Sequence, residues 1–313
     1  MKRRLIPRLL RRLTRPSAAG VTVFAFHGVV ERELPAPDGC WTPLAVFRAQ
    51  VQSIAARFEV VPLPVAMTTP APAGRRRAAL TFDDGFQSHH DLVLPVLQEL
   101  GLHATFFINT GVVDTGHGLW FARLHAAISE TTLTRLEWGG GTYLLPDAER
   151  RGACSAALQT RLKALPAPEL ECAVDAIREQ LGCDPRPCFA PTSPFRALDT
   201  ASLRTMFASG LCGFGGHTHS HAILSRLSPA AQREEITRSV AGVRELGLGA
   251  AEAFAYPNGQ PGDFGAVAER ILGDLGVRWA FGTHGGLCSA VSPPIRLPRR
   301  VLMAGHRPIG VRR

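Results

Sequence analysis

Short apolar runs alternate with longer amphipathic stretches along most of this 313-residue chain. Residues 21–26 (VTVFAF) are β-branched, aromatic or small without a polar break beyond Thr22, the pattern of a buried strand, and His27 and Gly28 mark its exit into a loop. Residues 43–57 carry helical spacing. RFEVVPL at 57–63 predicts a second short strand, and the Pro- and Ala-rich stretch 64–78 a surface connection containing Arg75, Arg76 and Arg77. AALTF at 78–82 predicts a third strand that stops at Asp83, Asp84 and Gly85; a helix follows at 90–100, then a fourth strand, ATFFIN, at 104–109. Strand followed by helix, repeated, predicts a parallel α/β architecture. The rhythm breaks over about 115–200, where helices near 147–164 and 168–181, a Gly-rich turn at 139–141 and a Pro-rich stretch at 185–194 predict an inserted helical segment. It resumes with a helix at 199–209, a strand near 211–215, a helix at 229–246, a strand at 252–256, a helix at 263–275 and a strand at 277–283.

Composition changes this picture at the ends. A hydrophobic content of 45% supports a full core, and no apolar run approaches the roughly 18 residues of a membrane span. The net charge of +9 invites a nucleic-acid reading, but seven of those charges (Lys2, Arg3, Arg4, Arg8, Arg11, Arg12 and Arg15) lie in residues 1–15, which hold no acid. The body is nearly balanced, so no nucleic-acid partner is expected. Leu5, Ile6, Leu9, Leu10 and Leu13 share one helical face there, the pattern of a basic amphipathic helix on an anionic membrane surface; a solvated arm or a helix packed on the domain is the other reading. Arginines interrupt every candidate signal-peptide core, so the expected location is cytoplasmic, peripheral at the inner membrane face. The seven cysteines form no C-x-x-C pair and read as free thiols. The expected organisation is a basic segment at 1–18, one domain at 19–305 with its insertion, and a basic tail at 306–313.

Sites in parallel α/β folds lie at the carboxyl ends of strands, which selects His27, Asp83, Asp84, Asn109, residues 217–221 and residues 256–259. Adjacent carboxylates such as Asp83 and Asp84 repel unless a cation or hydrogen bonds intervene, although an Asp at a strand end also serves as a helix cap. His217, His219 and His221 lie within GGHTHSH, and one helical turn would bring His217 and His221 to one face. Two histidines and a carboxylate are a common catalytic metal set.

Together these segments resemble the polysaccharide deacetylase family, also called the NodB-homology or carbohydrate esterase family 4 domain. Its first motif is matched by Thr81-Phe82-Asp83-Asp84-Gly85, its H-[ST]-x-x-H motif by His217-Thr218-His219-Ser220-His221, and the stretch between by Leu94-Pro95-Val96-Leu97 and Ala104-Thr105-Phe106-Phe107. The likeness covers most of residues 20–303, and the "YPNG" turn at 256–259 is similar to the exopolysaccharide-type branch. The resemblance implies a distorted (β/α)7-type barrel and a metal-dependent hydrolase that removes N-acetyl groups from amino sugars of a saccharide, free or lipid-linked. It implies Asp84, His217 and His221 as ligands of a divalent metal, usually zinc, and Asp83 as the base. Asn258 would supply an oxyanion-hole N–H, with Tyr256, Pro257 and Gly259 lining the substrate site.

This sequence departs from the family in two places. The Arg that often precedes the Pro-Tyr-Gly-like turn is missing from Phe254-Ala255-Tyr256-Pro257-Asn258-Gly259, which leaves the orientation of Asp83 open. The late Leu-x-His motif that supplies the acid is also absent. A permuted branch carries that His near the N-terminus, which favours His27 in Phe24-Ala25-Phe26-His27-Gly28 over His284. A metal- or carbohydrate-binding protein that has kept the fold, and a deformylase or esterase at the same metal, are the alternatives.

Overall fold

The computed structural model describes residues 20–72, 74–289 and 291–306, so the amphipathic helix expected at 1–18 and all but His306 of the basic tail lie outside the described residues. Seven strands run parallel in one curled sheet, in the order β11 (Trp279–Phe281), β10 (Ala253–Ala255), β9 (Cys212–Gly216), β6 (Ala104–Ile108), β5 (Arg77–Phe82), β1 (Val21–Phe26) and β12 (Arg300–Val301). The two-residue β4 (Glu59–Val60) adds to the start of β5. One extended stretch joins the two edges of the sheet. The Leu297 N–H donates to the Ala280 carbonyl on the β11 side, and four residues later Val301 pairs with Ala25 of β1. The result is the distorted (β/α)7 barrel.

The strands are apolar runs because both their faces are covered. Alternate residues divide between two layers. Phe24, Phe26, Leu80, Phe82, Phe106, Ile108 and Phe254 face outward into the main core, against helices that include α1 (Leu44–Ala55), α3 (Leu94–Leu100), α7 (Thr200–Ala208), α8 (Pro229–Glu245) and α9 (Ala266–Asp274). Val23, Ala79, Phe107, Ala255, Phe281 and Leu297 fill the barrel. This period-2 pattern locates the chemistry, because Asp83, His27, His217 and Thr283 continue the inward series at the strand ends. The barrel is tight where β9 meets its neighbours: a Cβ on Gly215 would stand 2.4 Å from the Ala253 carbonyl oxygen.

Most predicted elements lie within a few residues of the observed ones. The predicted strand at 57–63 shrinks to β4, and part of the expected surface connection after it is the helix α2 (Leu63–Thr68), started by Pro64 in its first turn. The loop expected after His27 is instead β2 (Gly28–Val30), paired with β3 (Trp41–Pro43). The predicted helix at 90–100 begins as a π-helical turn, His89–Val93, before α3. Such turns are frequent at functional sites. Here the turn brings the buried His89 among Phe82, Phe86 and Phe106, with Nε2 3.1 Å from the His27 carbonyl oxygen. Burial pushes the His89 imidazole down to about 4, only partly opposed by that hydrogen bond. A base depressed on folding leaves the unfolded chain holding the extra proton, so this contribution is full above pH 6.5 and lost as pH falls toward 4. Wild type is expected to lose up to about 3 kcal/mol more than His89→Gln over that window, measured by urea unfolding.

Residues 115–200 form a helical layer with a core of its own. Helices α4 (Trp120–Glu130), α5 (Ala148–Leu162) and α6 (Ala167–Gln180) pack Leu124, Ile128, Leu158, Leu162, Val174 and Ile177 together, and the hairpin of β7 (Arg135–Trp138) and β8 (Gly141–Leu144) turns at Gly139 and Gly140. Asp147 caps α5 by accepting from the Arg150 N–H, and the buried Arg123 ties α4 to Glu171 and Asp175 of α6.

Candidate active site

Strand β5 ends at Asp83, whose N–H donates to the Phe26 carbonyl of β1, and the chain then turns sharply at Asp84 (φ 75°) and Gly85 (φ 66°). Strand β9 ends at His217, whose N–H donates to the Ile108 carbonyl of β6. Asn109, at the end of β6, donates from its side chain to the carbonyls of His217 and Thr218. The chain after His217 is not the helical turn that the four-residue spacing predicts. It is a loop with Thr218 at φ 59° and His221 at φ 63°. Glu235 of α8 shapes that loop by accepting from the N–H groups of His219 and Ser220 and from the Ser220 hydroxyl, while His219 Nδ1 meets Thr110 Oγ1 at 2.9 Å. His219 is thus committed to the loop, and the loop still brings His217 and His221 together. Of the six non-glycine residues with positive φ among the described residues, four (Asp84, Thr218, His221 and Asn258) surround this one site, as expected where a site imposes its own backbone.

Asp84, His217 and His221 are all buried, and one donor atom from each lies within 4.8 Å of the others. Asp84 Oδ1 stands 3.5 Å from His217 Nε2 and 3.3 Å from His221 Nε2. Donors each about 2.0–2.1 Å from a tetrahedral ion stand about 3.4 Å apart, so the spacing fits a shared cation. Asp84 Oδ1 is also a buried oxygen with no hydrogen-bond partner among the described residues. His217 Nδ1 lies 2.7 Å from the Ala255 carbonyl, a geometry that puts the proton on Nδ1 and leaves Nε2 free to ligate. Burial pushes the Asp84 carboxyl up, but the facing imidazoles of His217 and His221 outweigh it and hold the group well below the usual carboxylate range. Burial pushes His221 down, toward the neutral form a cation needs.

Asp83 is held by a residue that the motifs do not reveal. Arg299, fully buried, donates from Nη1 to Asp83 Oδ1 at 2.6 Å and from Nη2 to Oδ2 at 2.7 Å. Its Nε donates to the Gly282 carbonyl, and Nη1 also reaches Thr81 Oγ1. The stretch that closes the barrel therefore supplies the arginine missing from the "YPNG" segment. Burial would raise the Asp83 carboxyl, but Arg299, with His217 and His27, keeps it below its ordinary value. The signal in the sequence was a basic pair, Arg299-Arg300, within the otherwise apolar run Leu297–Leu302.

A cavity of about 350 Å³ opens over these groups, and His27, Asp83, Asp84, His217, His221 and Asn258 all line it. His27 Nε2 lies 4.0 Å from Asp83 Oδ2. His284 lies outside the lining. The structure also corrects the substrate-side expectation, because Tyr256, Pro257 and Gly259 are buried and do not face the cavity. The Tyr256 hydroxyl donates to the Ile295 carbonyl, and its ring stacks on Phe264 at 3.8 Å, so the side chain belongs to the core. Asn258 and Gln260, on either side of Gly259, line the cavity instead. Phe121 of α4, which sequence reasoning left without a role, packs on the His221 ring at 5.0 Å and carries the inserted layer to the site.

Among curated proteins none matches this sequence. Solved structures share the fold at low identity. The deacetylase PplD of Streptococcus pyogenes, in complex with acetate, is 15% identical with a TM-score of 0.60, over 94% of this chain and 96% of that one. IcaB of Ammonifex degensii is 17% identical with a TM-score of 0.55, over 91% and 92% of the two chains. The BpsB deacetylase domain of Bordetella bronchiseptica is 14% identical with a TM-score of 0.54, over 92% and 98%. Residues 71–280 match the family described as polysaccharide deacetylase, a span that holds Asp83, Asp84, His217 and His221. With that match over most of its length, the chain belongs to the polysaccharide deacetylase family.

Proposed function

We propose that this protein is a metal-dependent hydrolase that removes N-acetyl groups from amino sugars of a saccharide. The observation that carries the reading is the pairing of two sets in one cavity: the Asp84, His217 and His221 donors, and an Asp83 carboxylate clamped by Arg299. Asp84, His217 and His221 would hold the cation, with zinc the best fit to one carboxylate and two imidazoles. When bound, the cation supplies Lewis acidity, polarising the acetamide carbonyl and lowering the pKa of water.

The protein's own residues do the rest. Asp83 takes the proton of the attacking water; a carboxylate held this low is a weak base, so it suits only water that has been made acidic. Arg299 keeps Asp83 ionised and fixes its plane. Asn258 lines the cavity, and its backbone N–H is the donor we assign to the oxyanion, a contribution worth about 3 kcal/mol per donor in other hydrolases. His27 gives a proton to the leaving nitrogen as the C–N bond breaks, so amide and water yield acetate and a free amine.

The test is acetate release from N-acetylated oligosaccharides together with metal content. About one metal per chain and stoichiometric acetate are expected from the wild type. A wild type that binds no metal, or that releases formate and not acetate, ends this reading.

A further inference from the structure

Arginine does almost every cationic task in this chain. Of 35 basic residues only two are lysines, Lys2 and Lys163, and Lys163 is the only one among the described residues. It follows α5 directly, in the inserted layer, and its Nζ donates to Asn258 Oδ1 at 2.9 Å across the active-site cavity. Buried or part-buried arginines elsewhere are committed either to carboxylates, as Arg299 is to Asp83, Arg77 to Glu59 and Arg123 to Glu171 and Asp175, or to backbone carbonyls, as Arg178 and Arg151 are. Lys163 has no carboxylate within ion-pair distance among the described residues, although it is only half-exposed. A lysine after a helix also suits the helix dipole, but that role does not require the ammonium to reach a catalytic cavity.

A second cavity, of about 240 Å³, adjoins the first, and the two share His221 and Lys163 alone. Lys163 is therefore the divide between them. The second wall is largely apolar, with Trp120, Leu165, Leu170 and Ile223, and bears two further charges. Glu171 is already engaged by Arg123. Arg226 makes no ion pair among the described residues. Lys163 and Arg226 are thus two cations lining one cavity beside the metal site, and neither is in an ion pair among the described residues.

We infer that Lys163 and Arg226 form an anion subsite and that the substrate bears a negative group, a phosphate or a carboxylate, close to the acetamido sugar. This rests on the deacetylase reading only for where the acetamide sits; anion binding itself is independent of turnover. Lysine suits the place because a compact ammonium on a flexible stem can leave Asn258 for an incoming oxyanion, whereas a guanidinium fork favours fixed bidentate partners.

Having only two lysines makes the test direct. Reductive ¹³C-methylation of the zinc-treated full chain labels Lys2, Lys163 and the terminal amine while keeping the lysine charge, and Lys163→Arg assigns the Lys163 signal. N-acetylglucosamine 1-phosphate, a uronic-acid disaccharide and neutral N-acetylglucosamine are then titrated. At least one anion is expected to move the Lys163 signal saturably while Lys2 stays still, with half-saturation weakened about 10-fold or more in Arg226→Gln. Which anion does so separates phosphate from carboxylate. With turnover as the second readout, Lys163→Gln is expected to lower the ratio of kcat/KM for the anionic over the neutral substrate by about 10- to 100-fold. A Lys163 signal that ignores both anions, or that responds equally to the neutral sugar, overturns the inference, as does an unchanged ratio in Lys163→Gln. A saturable Lys163 response without acetate from any substrate would leave the anion subsite standing and sink the deacetylase reading instead.

Discussion

Replacing Arg299 with methionine is expected to lower kcat/KM by about 10²- to 10⁴-fold and to destabilise the fold by about 3–5 kcal/mol. The two effects share one cause. Asp83 is 1% exposed, and Arg299 is its only bidentate partner among the described residues. Without the guanidinium a buried carboxylate loses its compensating charge, and burial, already the largest influence on Asp83 and opposed to ionisation, prevails. The Asp83 pKa then rises. Activity that needs the ionised base is lost from the acid side, so the acid limb of the kcat/KM profile moves to higher pH in Arg299→Met. Pairing the change with Asp83→Asn removes the stranded charge, so the double variant should be more stable than Arg299→Met alone. Urea unfolding of the four proteins reads this coupling, and additive losses would show that the pair does not act as a unit.

The prominence of Arg299 shows where sequence reasoning stopped. The inward strand ends were legible because alternation along VTVFAF, RAALTF and ATFFI dictates which residues reach the barrel axis. The Asp83-Asp84 pair and the His217/His221 pair were legible as residue types that suit a cation site, with a helix cap the other reading of the aspartates. What escaped was long-range and local geometry. Nothing in Leu297-Pro298-Arg299-Arg300 announces a strand that bonds β11 at one end and β1 at the other, since a pairing partner such as β1, nearly the whole chain away, leaves no periodic trace. His217 and His221 converge through positive φ at Thr218 and His221, which spacing alone cannot distinguish from a helical turn. Tyr256 was misplaced because the motif was read without the strand's alternation: Phe254 and Tyr256 face the outer core and Ala255 the barrel, while Asn258, at φ 59°, lies beyond the strand and lines the cavity. Lys163 carried a compositional signal, scarcity, that patterning does not register.

The sharpest separation of roles should come from the adjacent aspartates. Asp83→Asn is nearly isosteric, leaves the Asp84, His217 and His221 donors in place, and is expected to retain metal while kcat falls about 10²- to 10⁴-fold. Asp84→Asn should do the opposite to metal, with activity falling as far because the cation is gone. Stability gives an independent view of the same difference. A ligand that binds only the folded chain adds about 2.7 kcal/mol at 100 times its Kd, so zinc should raise the melting temperature of wild type and Asp83→Asn, but not of Asp84→Asn. The metal-free proteins should rank differently. In metal-free wild type, Asp84 is a carboxylate 2% exposed, with one oxygen lacking any hydrogen-bond partner among the described residues and a backbone at φ 75°. Asparagine tolerates that backbone and removes the buried charge. At about pH 9, above the usual imidazole range, the imidazole charge that holds Asp84 low is gone, so metal-free Asp84→Asn is expected there to be at least as stable as metal-free wild type, the result for a residue kept for its ligand and not for the fold. A metal-free Asp84→Asn that melts well below wild type at that pH would instead assign Asp84 a structural role through His217 and His221, and the cation would lose its strongest claim on the site.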